Sequence, residues 1–215
     1  MRSVSTALVL AALTASQAVA QHVSVAGGFA MADYREQAAF LHFQGVGPAA
    51  SVLAEKGRLS LRIDGTHLDL NPSGDNSAAL ESFTLDQLSV RAGFRAMSLV
   101  ALEAGYVRRA TSPSRAAQSY SAATFGVRAA YPLAPGADVA LRTAYVAGTD
   151  FTGGGSAPFG LELGLSAAYG PGAGRFRLMG DFEFQRIDRH TEQDGNSLSV
   201  PIQSSIARLG VGVRF

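Results

Sequence analysis

Apolar residues alternate with small or polar ones over most of this chain, and that period of two constrains the fold more than any other feature. In the run from Phe159 to Tyr169 one parity reads Phe, Leu, Leu, Leu, Ala, Tyr; the other reads Gly160, Glu162, Gly164, Ser166, Ala168. A strand throws successive side chains to opposite faces, so the segment has one apolar face and one small or polar face. The pattern recurs at 59–66, 85–95, 99–108, 120–131, 137–149, 175–188 and 207–215. Two earlier runs, 22–34 and 40–54, bring the expected strands to ten. The second of these is blurred and holds Pro48, which has no N–H to give a ladder.

The connections alternate in kind. Short ones are expected at 55–57, 95–98, 132–137 and 170–174; generally longer, polar ones at 71–81, 110–117, 150–157 and 189–202, with a hairpin near 35–37. That order suits an all-β, up-and-down antiparallel barrel with its turns at one end and its loops at the other. The polar parity is rich in Gly, Ala and Ser with single charges, which suits a crowded interior better than a wet face. The apolar parity carries aromatics near strand ends: Phe94, Tyr106, Tyr131, Phe159, Tyr169, Phe176 and Phe215. Such placement predicts girdles at two membrane interfaces, and barrel closure removes the unpaired edges that a bilayer cannot satisfy. A soluble lipocalin-like barrel or secreted sandwich is the competing architecture.

The first twenty residues read as a cleavable secretory signal. Met1-Arg2 is followed by the apolar run 7–13, and Ala18 and Ala20 supply the small residues before cleavage ahead of Gln21. Residues 21–215 are then one barrel domain. Past the signal, no apolar run approaches the ~20 residues of a membrane-crossing helix. The absence of cysteine excludes disulfide scaffolds and thiolate chemistry. A net charge of +1 argues against nucleic acid as a partner.

The signal ending at Ala20, the alternating strands and the terminus Leu209-Gly-Val211-Gly-Val213-Arg-Phe215 together resemble the small outer-membrane β-barrel family of OmpA-like and opacity-type proteins. The resemblance covers essentially the whole mature chain and is specific for architecture. It implies an outer-membrane location, short periplasmic turns and longer external loops. It also implies contact with outer-membrane lipid and lipopolysaccharide, and recognition of Leu209, Val211, Val213 and Phe215 by the barrel-assembly machinery. The family's commonest form has eight strands, so ten are expected here with eight as the alternative.

The inward parity collects Arg62, Arg91, Arg95, Arg128, Arg142, Arg177, Arg208 and Arg214 with Asp64, Glu103, Glu162, Asp181 and Glu183. A buried charge without a partner is costly, so interior pairs are expected. Counting from the short turns predicts Arg91 with Glu103, Arg142 with Glu162, and Asp181 with Arg208. The expected role is structural or surface-interacting, with no enzymatic activity, no cofactor and a monomeric state. The alternative is a narrow pore in which the arginine excess favours anions.

Histidine chemistry is thinly supported. Asp188-Arg189-His190 resembles the Asp-x-His element of the omptin proteases, but Asp69 and Asp75 lack that family's spacing for a second acidic pair. His22-Val23-Ser24 is similar to the His-x-Ser of lipid A deacylase barrels, yet stands at the wrong end of the chain. His67 and Asp69 share a face, and two ligands do not make a metal site.

Overall fold

The computed structural model describes residues 22–37, 41–74, 80–113, 119–170, 174–193 and 196–215. The signal residues Ala18, Ala20 and Gln21 lie outside them, as do Asp75 and residues 194–195.

Ten strands follow one another: β1 (His22–Glu36), β2 (Leu41–Lys56), β3 (Leu59–Pro72), β4 (Phe83–Arg95), β5 (Val100–Ser112), β6 (Tyr120–Ala134), β7 (Ala137–Phe151), β8 (Ser156–Tyr169), β9 (Phe176–Gln193) and β10 (Asn196–Arg214). Each pairs antiparallel with its chain neighbours, and β1 closes on β10 through the register Phe29↔Leu209. The eight-strand alternative is thereby set aside.

The blurred second strand is a full one. Pro48 stands opposite Phe29 on β1. Towards β3 the ladder steps from Val46↔Asp69 to Ala49↔Thr66 without paired rungs between, which is where a missing N–H is tolerated. The connection expected at 132–137 shrinks to Pro135-Gly136. Proline presets the first central position and Gly136 takes φ 79° at the second, the signature of a type II turn.

The largest departure from the sequence expectation is at the other end. The described residues of the segment 189–202 are strand and not loop: β9 and β10 run 18 and 19 residues and stay paired up to Gln193↔Asn196. The reason is a change of phase in the alternation. Along β9 the outward residues Phe176, Leu178, Phe182 and Phe184 give way to Arg186, Asp188 and His190, while the inward ones pass from Arg177, Asp181 and Glu183 to Ile187. On β3 the inward side passes from Arg62 and Asp64 to the buried Leu68 and Leu70, with His67 and Asp69 outside. The barrel therefore has two storeys. The lower is polar inside and apolar outside; the upper is apolar inside and polar outside.

The outward face of the lower storey is exposed and greasy, with Phe29 at 74%, Leu209 at 63% and Leu141 at 62% accessible. All seven aromatics expected in girdles face out and are exposed. On β8 the apolar face runs from Phe159 to Tyr169. At ~3.3 Å per residue that is about 33 Å along the strand. Tilted by ~40°, it spans ~25 Å, the height of the apolar band on outer-membrane barrels.

Candidate functional site

The interior of the barrel is where the polar residues converge. Its lower storey holds a charged network built by the inward parity of β3, β4, β5, β7, β8, β9 and β10. Arg62 and Arg91 lie directly opposite each other in register, and Asp64 bridges them. Arg62 Nε donates to Asp64 Oδ1 over 2.8 Å, and Arg91 Nη2 donates to Asp64 Oδ2. Arg142 Nε donates to Glu103 Oε2 over 2.7 Å while its Nη1 donates to Glu162. Arg208 Nη1 reaches Asp181 at 3.1 Å and Glu183 at 3.3 Å, and its Nε donates to Thr66. Arg62 also lies 3.5 Å from Asp181, which joins β3 to β9 across the lumen.

Two of the three expected pairs are therefore brought together, Arg142 with Glu162 and Asp181 with Arg208. The third, Arg91 with Glu103, is corrected. Arg91 stands opposite Gly105, not Glu103, and its guanidinium crosses the lumen to sit 3.7 Å from Glu162. Depth counted from the turns ignored that an arginine can reach the far wall of a narrow barrel. Arg95 is half exposed at the rim, 3.8 Å from Glu55. Arg177 pairs with Asp138, an acid that sequence reasoning passed over although it lies on the inward parity of β7. Arg128 lines the lower lumen and makes no hydrogen bond or ion pair among the described residues.

Above this network, four side chains tie opposite walls together. Gln87 Nε2 on β4 donates to Glu183 Oε1 on β9 over 2.9 Å. Arg109 Nη2 on β5 donates to Ser204 Oγ on β10 over 2.9 Å and to Gln87 Oε1 over 2.7 Å. In a ring of ten, β4 and β9 are half the circumference apart, and so are β5 and β10. Tyr120 donates to Gln185 in the same layer and presents its ring to Arg109, 5.2 Å from the guanidinium carbon. Arg109 is 2% exposed. Among the described residues it has no carboxylate partner, and its Nη1 and the Nε2 of Gln185 have no hydrogen-bond partner. Sequence reasoning ended the fifth strand at Arg108 and so missed Arg109; the extra period-two step was the available signal.

The upper storey is filled by side chains. Phe43 and Phe83 meet edge to face at 4.9 Å, with Tyr34 against Phe83 at 6.2 Å. Leu68, Leu70, Leu85, Val107, Ile187, Ile202 and Ile206 complete this core. Tyr34 donates to the buried Glu36 over 2.7 Å. Arg189 covers Phe151 and donates to the carbonyls of Gly153 and Gly154, which pins the turn between β7 and β8 over this end. Below the charged network the lumen opens towards the short turns as a vestibule of about 110 Å³, walled by Ser24, Ser51, Ser166, Arg128, Arg177 and Arg214 among others.

Among the described residues, the Asp188-Arg189-His190 element meets no second acidic pair. Asp188 and His190 face outward on β9, and Asp188 accepts from Arg186 over 3.0 Å. Asp69 faces outward on β3, four strands away round the ring, so it cannot converge with them over a barrel mouth. His67 holds Asp86 at its Nδ1 over 2.6 Å and has Asp69 4.0 Å from its Nε2. The two carboxylates thus address different ring nitrogens. His22 is exposed at the lower rim, opposite Glu55. Leu209, Val211 and Val213 face outward on β10, and the Phe215 amide donates to the carbonyl of Val23 over 2.8 Å.

No family model and no curated protein matches this sequence. Among solved structures, the chain is similar to Neisserial surface protein A at 17% identity, covering 90% of this chain and 97% of that one with a TM-score of 0.43. It is similar to the translocator domain of the autotransporter NalP from Neisseria meningitidis at 12% identity, 98% and 95% coverage and a TM-score of 0.49. It is also similar to the outer membrane protease OmpT from Escherichia coli at 8% identity, 90% and 96% coverage and a TM-score of 0.49. At these identities and scores no activity carries over to this chain.

Proposed function

We propose that this protein is an integral outer-membrane β-barrel that does not conduct and has no enzymatic activity, and whose rigid upper storey serves a structural or surface-interaction role outside the cell. The observation that carries this is the pair of bonds between opposite walls, Gln87 to Glu183 and Arg109 to Ser204. A continuous pore requires both to break and the aromatic core above them to part. The apolar band of ~25 Å supports the membrane location, because in water so much greasy surface would aggregate. Cleavage after Ala20, short turns facing the periplasm and a monomer in contact with lipopolysaccharide belong to the same proposal.

The test is single-channel current from the purified, refolded mature chain in a planar bilayer. Silence from protein shown to be folded by its heat-modifiable gel mobility is the expected result. Discrete, reproducible openings would favour the narrow pore instead, and their anion preference would report on the arginines of the lumen.

A further inference from the structure

Two arginine doublets face into the lower lumen, and one of their four guanidiniums has no partner among the described residues. Arg62 and Arg91 are register partners on β3 and β4, held together by the carboxylate of Asp64 between them. Arg128 and Arg142 are register partners on β6 and β7. Here Arg142 is taken up by Glu103 and Glu162, and Arg128 is left with no partner among the described residues. The residues flanking Arg128 cannot help: Ala101 stands opposite on β5, and Ala130 is the next inward residue on its own strand. Glu103, opposite Gly126 two residues along β6, already accepts from Arg142. The other carboxylates around this space are also engaged, Asp138 by Arg177 and both Asp181 and Glu183 by Arg208.

A half-buried guanidinium beside a second guanidinium, with neither carboxylate nor carbonyl to accept from it, is a costly arrangement unless something supplies the acceptor. Arg128 is also where two spaces meet. It lines both the vestibule of about 110 Å³ and the adjoining recess of about 50 Å³ that reaches Arg142. A planar fork of donors suits a two-oxygen acceptor, the geometry in which arginine binds carboxylate or phosphate. We infer that the vestibule is an anion-binding site for a small oxyanion of the inorganic phosphate class, seated on Arg128 as Asp64 is seated between Arg62 and Arg91. The anion enters from the short-turn end, through the rim formed by Asp138, Arg177 and Arg214. Only this direction of entry rests on the closed upper lumen proposed above.

The experiment is calorimetric titration of inorganic phosphate into the folded, detergent-solubilised mature chain in a buffer of constant ionic strength. Saturable binding at about one phosphate per chain is expected, weakened at least tenfold in Arg128→Gln. Arg108→Gln removes the same charge from the outward face of β5 and is expected to bind as the parent does. Arg128→Gln forfeits no ion pair, so it is expected to fold, which gel mobility checks. Absence of saturable binding by the parent chain overturns the inference, as does equal weakening by the two substitutions. Current in the bilayer experiment is read separately, so a conducting barrel that binds phosphate at Arg128 would sink the closed-lumen proposal and leave this one standing.

Discussion

Leu163→Arg separates a membrane-embedded barrel from a soluble one, because the substitution is costly in the first environment and nearly neutral in the second. Leu163 faces outward on β8 and is 43% exposed. It lies four residues from Phe159 at the upper girdle, ~13 Å along a strand with a rise of ~3.3 Å. A tilt of ~40° puts it ~10 Å below that girdle, within ~3 Å of the middle of a ~25 Å band. Arginine on the lipid face at the midplane of a barrel costs about 2–4 kcal/mol, and near the interfaces about 0–1. At 1.4 kcal/mol per decade, the midplane cost is roughly 30- to 700-fold in the folding equilibrium. In water the same change replaces an exposed apolar side chain with a solvated one and stays within ~0.5 kcal/mol. The assay is equilibrium unfolding by urea in phospholipid vesicles, with His67→Arg on the outward face of the upper storey as the control. We expect the full penalty for Leu163→Arg and less than ~1 kcal/mol for His67→Arg. Equal, small effects for the two would refute the membrane band.

Further expectations concern the lumen and the upper storey. Arg142→Met leaves Glu103 without a partner and Glu162 with only the more distant Arg91, and is expected to cost about 3–5 kcal/mol, the range for breaking a buried ion pair; urea midpoints check it, and adding Glu103→Gln is expected to return part of the loss. Phe43→Ala empties a fully buried position against Phe83 and Tyr34. It is expected to cost about 3–5 kcal/mol and to speed amide exchange in the upper ends of β1 to β4 ahead of the membrane band. On the outer surface of the upper storey, partial burial would by itself raise the pKa of Asp33, but hydrogen bonds from Arg35, His42 and Gln44 hold its carboxyl down at about 2. Its folded value lies below its unfolded one, so the small stabilisation is complete above about pH 4 and disappears as the pH falls towards 2. Asp33→Asn is expected to flatten stability against pH in that window only; an unchanged slope would show that Asp33 contributes nothing.

Strand number, barrel closure, the lower faces and the girdle aromatics were legible in the sequence, because a strand's side-chain direction has a strict period of two that needs no long-range information. Even the change of phase was present, in the step from Phe184 to Ile187 along β9 and from Arg62 to Leu68 along β3. It was misread as the start of a loop at 189–202 because an inverted alternation looks like the end of a pattern when only one face is assumed to be apolar. Pro48 misled in the same local way; its missing N–H is absorbed where β2 and β3 leave rungs unpaired.

What the sequence by itself determined is which residues face inward. Which of them touch was decided only by the tertiary structure. Register put Arg208 beside Asp181, a relation between neighbouring strands that turn lengths approximate. It could not put Arg91 beside Glu162, Arg109 beside Ser204 or Gln87 beside Glu183. Those contacts exist because ten closed strands leave a lumen narrow enough for long side chains from one wall to reach the other. That distance is a property of the closed ring and is written in no single strand.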